Sequence, residues 1–353
     1  MITPAGHGSY IAGRWVEGDI VRQSINPFTG EPIGAVRQAS VEHISLAIEA
    51  ASKALPRWRD VAPEERAAFL EAALRLVYEQ RDEIAHLIST EQGKPIAESY
   101  SLEVIPSLDM LEFYTVHGPA WLTPKRVTYE QPYFTGKESR VFFSPLGVTA
   151  IATPSFSPWL APLTTTCLAL LAGNSVILKP STYTQLTGLR IAKLFDAIGL
   201  PEGLLSVITG DDELADRLIA EPIQAAVYIG DREGAQKFLD ASNENFKKAI
   251  ISCGGRCPMM VLDDADIDAA ARRGLWGALA NNGQSHGSMS LMLVHKAVAQ
   301  RFREKLVELL GRLRYGDPLS CETDLGPMIG DRHFAALDSL ISQAASEDRK
   351  SVV

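Results

Sequence analysis

The chain has 353 residues, with 34 Lys+Arg against 43 Asp+Glu and a formal net charge of −9. At about 150 residues per domain this length suggests about two domains. The 46% hydrophobic and 22% charged fractions exclude disorder or low complexity as the main state. The acidic balance argues against nucleic acid, because phosphate neutralisation needs clustered Lys and Arg. No apolar run reaches the roughly 18 residues of a membrane span. Met1 to Tyr10 lacks a basic region followed by an apolar stretch, so no signal peptide is expected. Four cysteines in so long a chain make neither a disulfide framework nor a zinc-spaced set, so no metal is expected and a cytoplasmic, reduced setting is the default.

Residues 10–35 read as short strands and turns, with Asn26-Pro27-Phe28-Thr29-Gly30 as a turn signal. Val41 to Leu55 is helical, and Pro63-Glu64-Glu65 opens a long helix in which Leu70, Leu74, Val77 and Ile84 recur at helical spacing. In residues 122–145, Val127–Tyr129 and Val141–Phe143 flank a turn near Gly136, predicting a long β-hairpin. A lone hairpin is marginal in water, so a partner is expected to cover it. After Gly147 short apolar strands alternate with helices: strands at Val148–Ala152, Val176–Leu178, Leu204–Ile208, Ala225–Ile229 and Ala249–Ile251, and helices at Leu160–Leu171, Thr184–Ile198, Glu213–Ala220 and Arg232–Ala241. That alternation predicts βαβ units and a parallel sheet, with ligands at the strands' carboxyl ends. Further helices are expected over Asp266–Leu279 and Ala299–Leu310.

Candidate site residues fall after those strands. Lys179-Pro180-Ser181 can donate to a ribose hydroxyl or a phosphate, and is equally a solvated turn. Gly230-Asp231-Arg232-Glu233-Gly234 opens a helix and offers free N–H groups to a pyrophosphate, although Asp231 would repel it and is itself a good N-cap. The spacing is not that of Gly-x-Gly-x-x-Gly. Cys253-Gly254-Gly255 follows the last strand, and Asn282-Gly283-Gln284-Ser285-His286-Gly287 places a His between small residues.

Taken together the chain resembles the aldehyde dehydrogenase superfamily. The resemblance runs in order through Tyr10–Val16, Asn26–Glu31, Gly93-Lys94-Pro95, Ser144–Val148, Ala172-Gly173-Asn174, Leu178–Ser181, Gly199–Gly203, Gly254-Gly255, Asp263–Asp266, Gly316-Asp317-Pro318 and Asp324–Pro327. It implies an α/β fold: a Rossmann-like, doubly wound parallel sheet domain binding NAD(P) (1–121 and 146–252), an oligomerisation hairpin arm (122–145) and a truncated α/β catalytic domain (253–353). It also implies NAD or NADP as cofactor and a homo-oligomer, or a hetero-oligomer with a homologue. Cofactor positions carried over are Thr153, Lys179, Ser181, Thr182, Gly210, Gly230, Asp231, Gly234 and Cys253. Thr182 stands where the family has the acid that binds the adenosine ribose, so a 2′-phosphate meets less repulsion.

The family oxidises an aldehyde to a carboxylate through a Cys nucleophile, an Asn oxyanion donor and a Glu general base. The matching positions here are His286 after Gly283-Gln284-Ser285, Phe156 within Pro154–Pro158, and Ser252 before Cys253-Gly254-Gly255. All three side chains are substituted. The family's Glu-Ile-Phe-Gly-Pro segment, which would hold the nicotinamide ribose, is not found, and Ser346–Val353 no longer resembles the family. The expectation is a catalytically inactive homologue with weakened cofactor binding. Two alternatives are a non-enzymatic subunit pairing with an intact homologue, and hydrolase chemistry through Cys253 with His286 as its base.

Overall fold

Two short antiparallel pairs open the chain: β1 (Ser9–Ile11) with β2 (Arg14–Val16), and β3 (Val21–Ile25) with β4 (Pro32–Arg37). The computed structural model describes residues 8–347 except Asn245. Most of the expected leader-free start and of the divergent tail (residues 1–7 and 348–353) therefore lies outside the described residues. The β3–β4 turn closes as its composition predicts, with the Asn26 carboxamide accepting the Phe28 N–H at 2.9 Å and Gly30 at φ +73°.

Helix α1 (Val41–Arg59) runs past its expected end and through Pro56, because Trp58 is drawn into the core and donates its indole N–H to the Leu170 carbonyl at 2.9 Å. The long helix expected from Pro63 is two, α2 (Pro63–Glu79) and α3 (Arg81–Gln92), broken at Gln80. The break lets α2 pack on the later helix at Ile105–Trp121 while α3 turns Ile84 and Ile88 into the core against the helix at Gln185–Ala197. Helix α4 (Ile96–Ser99) continues through a π-turn at Tyr100–Val104 into α5 (Ile105–Trp121). The hairpin is present but short. Strands β5 (Lys125–Val127) and β6 (Ser139–Val141) pair from Lys125↔Val141 to Val127↔Ser139, so the aromatic residues expected in strands lie beyond the ladder. Pro132, which has no N–H to give a ladder, instead begins a 3-10 turn.

The alternating stretch follows its predicted pattern: β7 (Val148–Ala152), α6 (Leu160–Leu171), β8 (Ser175–Lys179), α7 (Gln185–Ala197), β9 (Leu205–Val207), α8 (Asp212–Ala220), β10 (Ala225–Ile229), α9 (Arg232–Glu244) and β11 (Lys248–Ser252). The sheet order is β11-β10-β7-β8-β9-β1-β2, parallel from β11 to β9 and antiparallel where β1 joins. Alternate strand residues enter opposite layers. Ile151, Val176 and Leu178 join the layer of α2, α3, α5, α6 and α7, whereas Ala150, Ala152 and Ile177 join that of α1, α8 and α9.

Beyond β11 come β12 (Cys257–Val261), α10 (Ile267–Leu279), β13 (Met289–Val294), α11 (Ala299–Leu310) and α12 (Asp331–Ser346). Strands β12 and β13 form a separate parallel pair with α10 and α11 on one face, around Val261, Ile267, Ala271 and Phe302. Asp266 caps α10 by accepting the Ala269 N–H at 3.0 Å. No described helix is long and apolar enough to cross a membrane.

Candidate active site at the carboxyl ends of the parallel strands

In the order β9-β8-β7-β10-β11 the chain reverses direction of travel between β7 and β10, and such a switch point opens a crevice at the strands' carboxyl ends. Three loops border it. The loop after β7 carries Thr153, whose hydroxyl is buried without a partner, and Phe156. The loop after β10 carries Gly230 and Asp231, and that after β11 carries Cys253 and Gly254.

His286 reaches all three. Its Nε2 lies 2.9 Å from the Gly230 carbonyl oxygen, its ring centroid lies 4.3 Å from that of Phe156 at 47°, and a Cβ on Gly254 would come within 3.0 Å of its Cδ2. A carbonyl partner requires Nε2 to carry the proton. Burial pushes the imidazole below the usual histidine range, while the Gly230 carbonyl opposes that shift. Cys253 is a free, exposed thiol, and among the described residues no hydrogen bond joins it to His286. Ser252 contributes its carbonyl, which accepts the Gly230 N–H at 3.0 Å.

At the end of β8 the Lys179 ammonium is buried, 3.3 Å from the Thr182 hydroxyl and 3.8 Å from Asp212. Desolvation lowers its pKa to about 8, partly opposed by Asp212 and Asp211. Thr182 in turn lies 3.3 Å from the Gly210 carbonyl, and the Ser181 hydroxyl accepts the Tyr183 N–H. Thr182 also borders a cavity of about 760 Å³ between the β3–β4 turn and residues 325–337, which none of the other expected cofactor residues line. At the start of α9 the Asp231 carboxylate accepts the Gly234 N–H at 2.7 Å. The Tyr228 phenol lies over both Gly230 and Gly234, so closely that a Cβ at either would collide with it. Asp231 is thus an N-cap, the reading the sequence left open beside a phosphate site.

Sequence reasoning missed the polar support beneath this crevice. Lys94 and Glu103 form a buried ion pair at 2.5 Å. Lys94 also donates to the Phe156 carbonyl, and Glu103 accepts the Leu160 N–H at 2.8 Å at the start of α6. Asn281 donates to the Phe156 and Gln284 carbonyls and accepts from Gln92. Its backbone N–H donates to Glu98, whose pKa burial raises. Asn281 and Asn282 adopt φ of +52° and +54°. The Asn-Asn-Gly run was the available signal, since Asn and Gly tolerate that conformation.

A doubly wound sheet with polar groups gathered at its switch point defines an α/β protein of the dinucleotide-binding fold class. The aldehyde dehydrogenase family profile matches residues 15–353, and the chain belongs to that family. It is 33% identical over 349 residues to glutarate-semialdehyde dehydrogenase of Pseudomonas aeruginosa, a match covering 98% of this chain and 71% of the relative. A solved NADP-dependent enzyme of E. coli superposes with TM-score 0.91 at 29% identity, over 97% of this chain and 71% of that one. PnpE in complex with nicotinamide adenine dinucleotide gives TM-score 0.91 at 27% identity, over 96% of this chain and 70% of that one.

Proposed function

We propose that this member of the family does not itself carry out NAD(P)-dependent aldehyde oxidation. The observation that carries this reading is His286. It stands at the position of the family's nucleophilic Cys, and its Nε2 is held at 2.9 Å on the Gly230 carbonyl. An imidazole so held has no free electron pair at Nε2 for a carbonyl carbon. Phe156 presents a ring where an oxyanion would need a donor, and loss of one such donor alone typically costs about 10²–10³ in rate. Ser252 is a poor base for activating water.

The cofactor class is NAD or NADP, bound more weakly than in intact relatives. The buried Lys179 and the Thr182 hydroxyl fit the adenosine end. The other end does not fit: Asp231 occupies the helix N–H that a phosphate would take and places a negative charge there.

The test is formation of reduced nicotinamide from NAD⁺ or NADP⁺ with glutarate semialdehyde, the aldehyde in the Pseudomonas relative's name. No signal above a protein-free control is expected. A saturable, protein-dependent rate overturns the reading.

A role as a subunit is supported by the hairpin, whose Tyr133 and Phe142 are 75% and 67% exposed. Such apolar surface favours a second copy or an intact homologue as partner. Light scattering of the purified chain tests it, with a larger-than-monomer mass expected and a monomer for Phe142→Asp. Hydrolysis through Cys253 and His286 has less support, because the imidazole bonds to Gly230 instead of the thiol. Cleavage of an activated ester that Cys253→Ser abolishes would establish it.

A further inference from the structure

We infer that His286 is a latch that closes this chain's own nucleotide crevice, an inference that rests on the non-oxidising reading above. The imidazole touches the loops after three adjacent strands, β11, β10 and β7, and so bridges the switch point from side to side. On the β10 side it holds the Gly230 carbonyl at 2.9 Å. On the β7 side it stacks on Phe156 with centroids 4.3 Å apart. On the β11 side Gly254, at φ +66°, admits it, since a Cβ there would crowd the ring at 3.0 Å.

The backbone behind the ring is fixed as well. The Cys257 thiol lies 3.7 Å from the His286 carbonyl, and the Gln284 side chain is tied to the Asn281 carbonyl at 3.1 Å. Phe156 is held from beneath by Lys94 and Asn281 on its carbonyl. Both halves of the contact therefore rest on supported backbone. A ligand that enters between β7 and β10 must first displace the imidazole, and its apparent affinity falls by the fraction of molecules in which the latch is open. The Lys179–Thr182 end lies outside the latch, so a ligand confined to that end escapes the penalty.

The test compares NAD⁺ with AMP, which lacks the nicotinamide half, by calorimetric titration of the full chain. It uses wild type and His286→Ala, each also in an Asp231→Ser background that removes the repulsion at α9. The expected result is a gain in NAD⁺ affinity of about tenfold or more in at least the Asp231→Ser background, the scale of one hydrogen bond and one ring contact. AMP affinity stays within twofold. Phe156→Ala, which removes the opposite wall, moves NAD⁺ affinity in the same direction and stands in if His286→Ala loses its circular dichroism signature. Unchanged NAD⁺ affinity in both backgrounds overturns the latch, and so does an equal gain for AMP. Neither outcome touches the non-oxidising reading, which fails only if wild type produces reduced nicotinamide.

Discussion

The parallel strands of the large sheet and those of the small β12–β13 sheet are built from similar residues and end in different environments. In the large sheet every residue of β7 and β8 is buried, because helices lie on both faces. In the small sheet Met259, Val261 and Met292 face α10 and α11, while Met260 and Leu293 on the other face are 71% and 49% exposed. Parallel sheets are normally covered on both sides. An apolar strand thus specifies extended backbone, and the helices packed around it decide whether its second face becomes core. The joint between the regions is polar: Gln92, Glu98 and the Phe156 carbonyl on the large-sheet side meet Asn281 on the other.

The largest effect should come from the buried pair that supports the Phe156 loop on the large-sheet side of that joint. Glu103→Ala leaves the Lys94 ammonium buried without its partner and should cost about 3–5 kcal/mol in chemical denaturation. A loss under about 1 kcal/mol would mean that the Lys94–Glu103 pair is not buried in solution. Next, Ile151→Ala in the centre of the covered sheet should cost about 2–5 kcal/mol through lost burial and a cavity.

Lys179 gives a pH signature of the covered sheet alone. Its folded pKa of about 8 lies below its ordinary 10.5, so the unfolded chain binds more protons between those values. Stability contributed by this group therefore rises as pH rises from about 8 to 10.5, by no more than about 3 kcal/mol. Lys179→Met should flatten that rise relative to wild type, and parallel curves for the two proteins would refute it.

The smallest effect should come from the open face. Met260→Thr with Leu293→Thr should change unfolding free energy by less than about 0.5 kcal/mol per site. The pair should lower self-association seen by light scattering, because it breaks an exposed apolar patch. A loss comparable to that of Ile151→Ala would show the face to be covered in solution.

Much of the large sheet was legible because its signals are local. Val148–Ala152 and Ala225–Ile229 are bounded by turn residues, and their apolar runs have the length of a strand. The helix from Pro63 was misread as one piece since its periodicity continues across Gln80, and only packing on two different helices breaks it. Strands β12 and β13 were overlooked because their partners are each other, across the intervening α10. In the candidate site Phe156, Ser252 and His286 could be singled out against the family pattern as the positions proposed to differ. Glu103 could not, since a Glu between Leu102 and Val104 in a helical stretch gives no sign that it will be buried opposite Lys94.

The sequence by itself determined the alternation of strands and helices, which rests on neighbours a few residues apart, and the membership of the family, which rests on local motifs in order along the chain. Only the tertiary structure decided that β1 joins β9 across nearly two hundred residues, that Asp231 caps α9, and that His286 closes on Gly230 and Phe156. Those contacts arise when burial brings distant segments together and each polar group left in the interior must find a partner there.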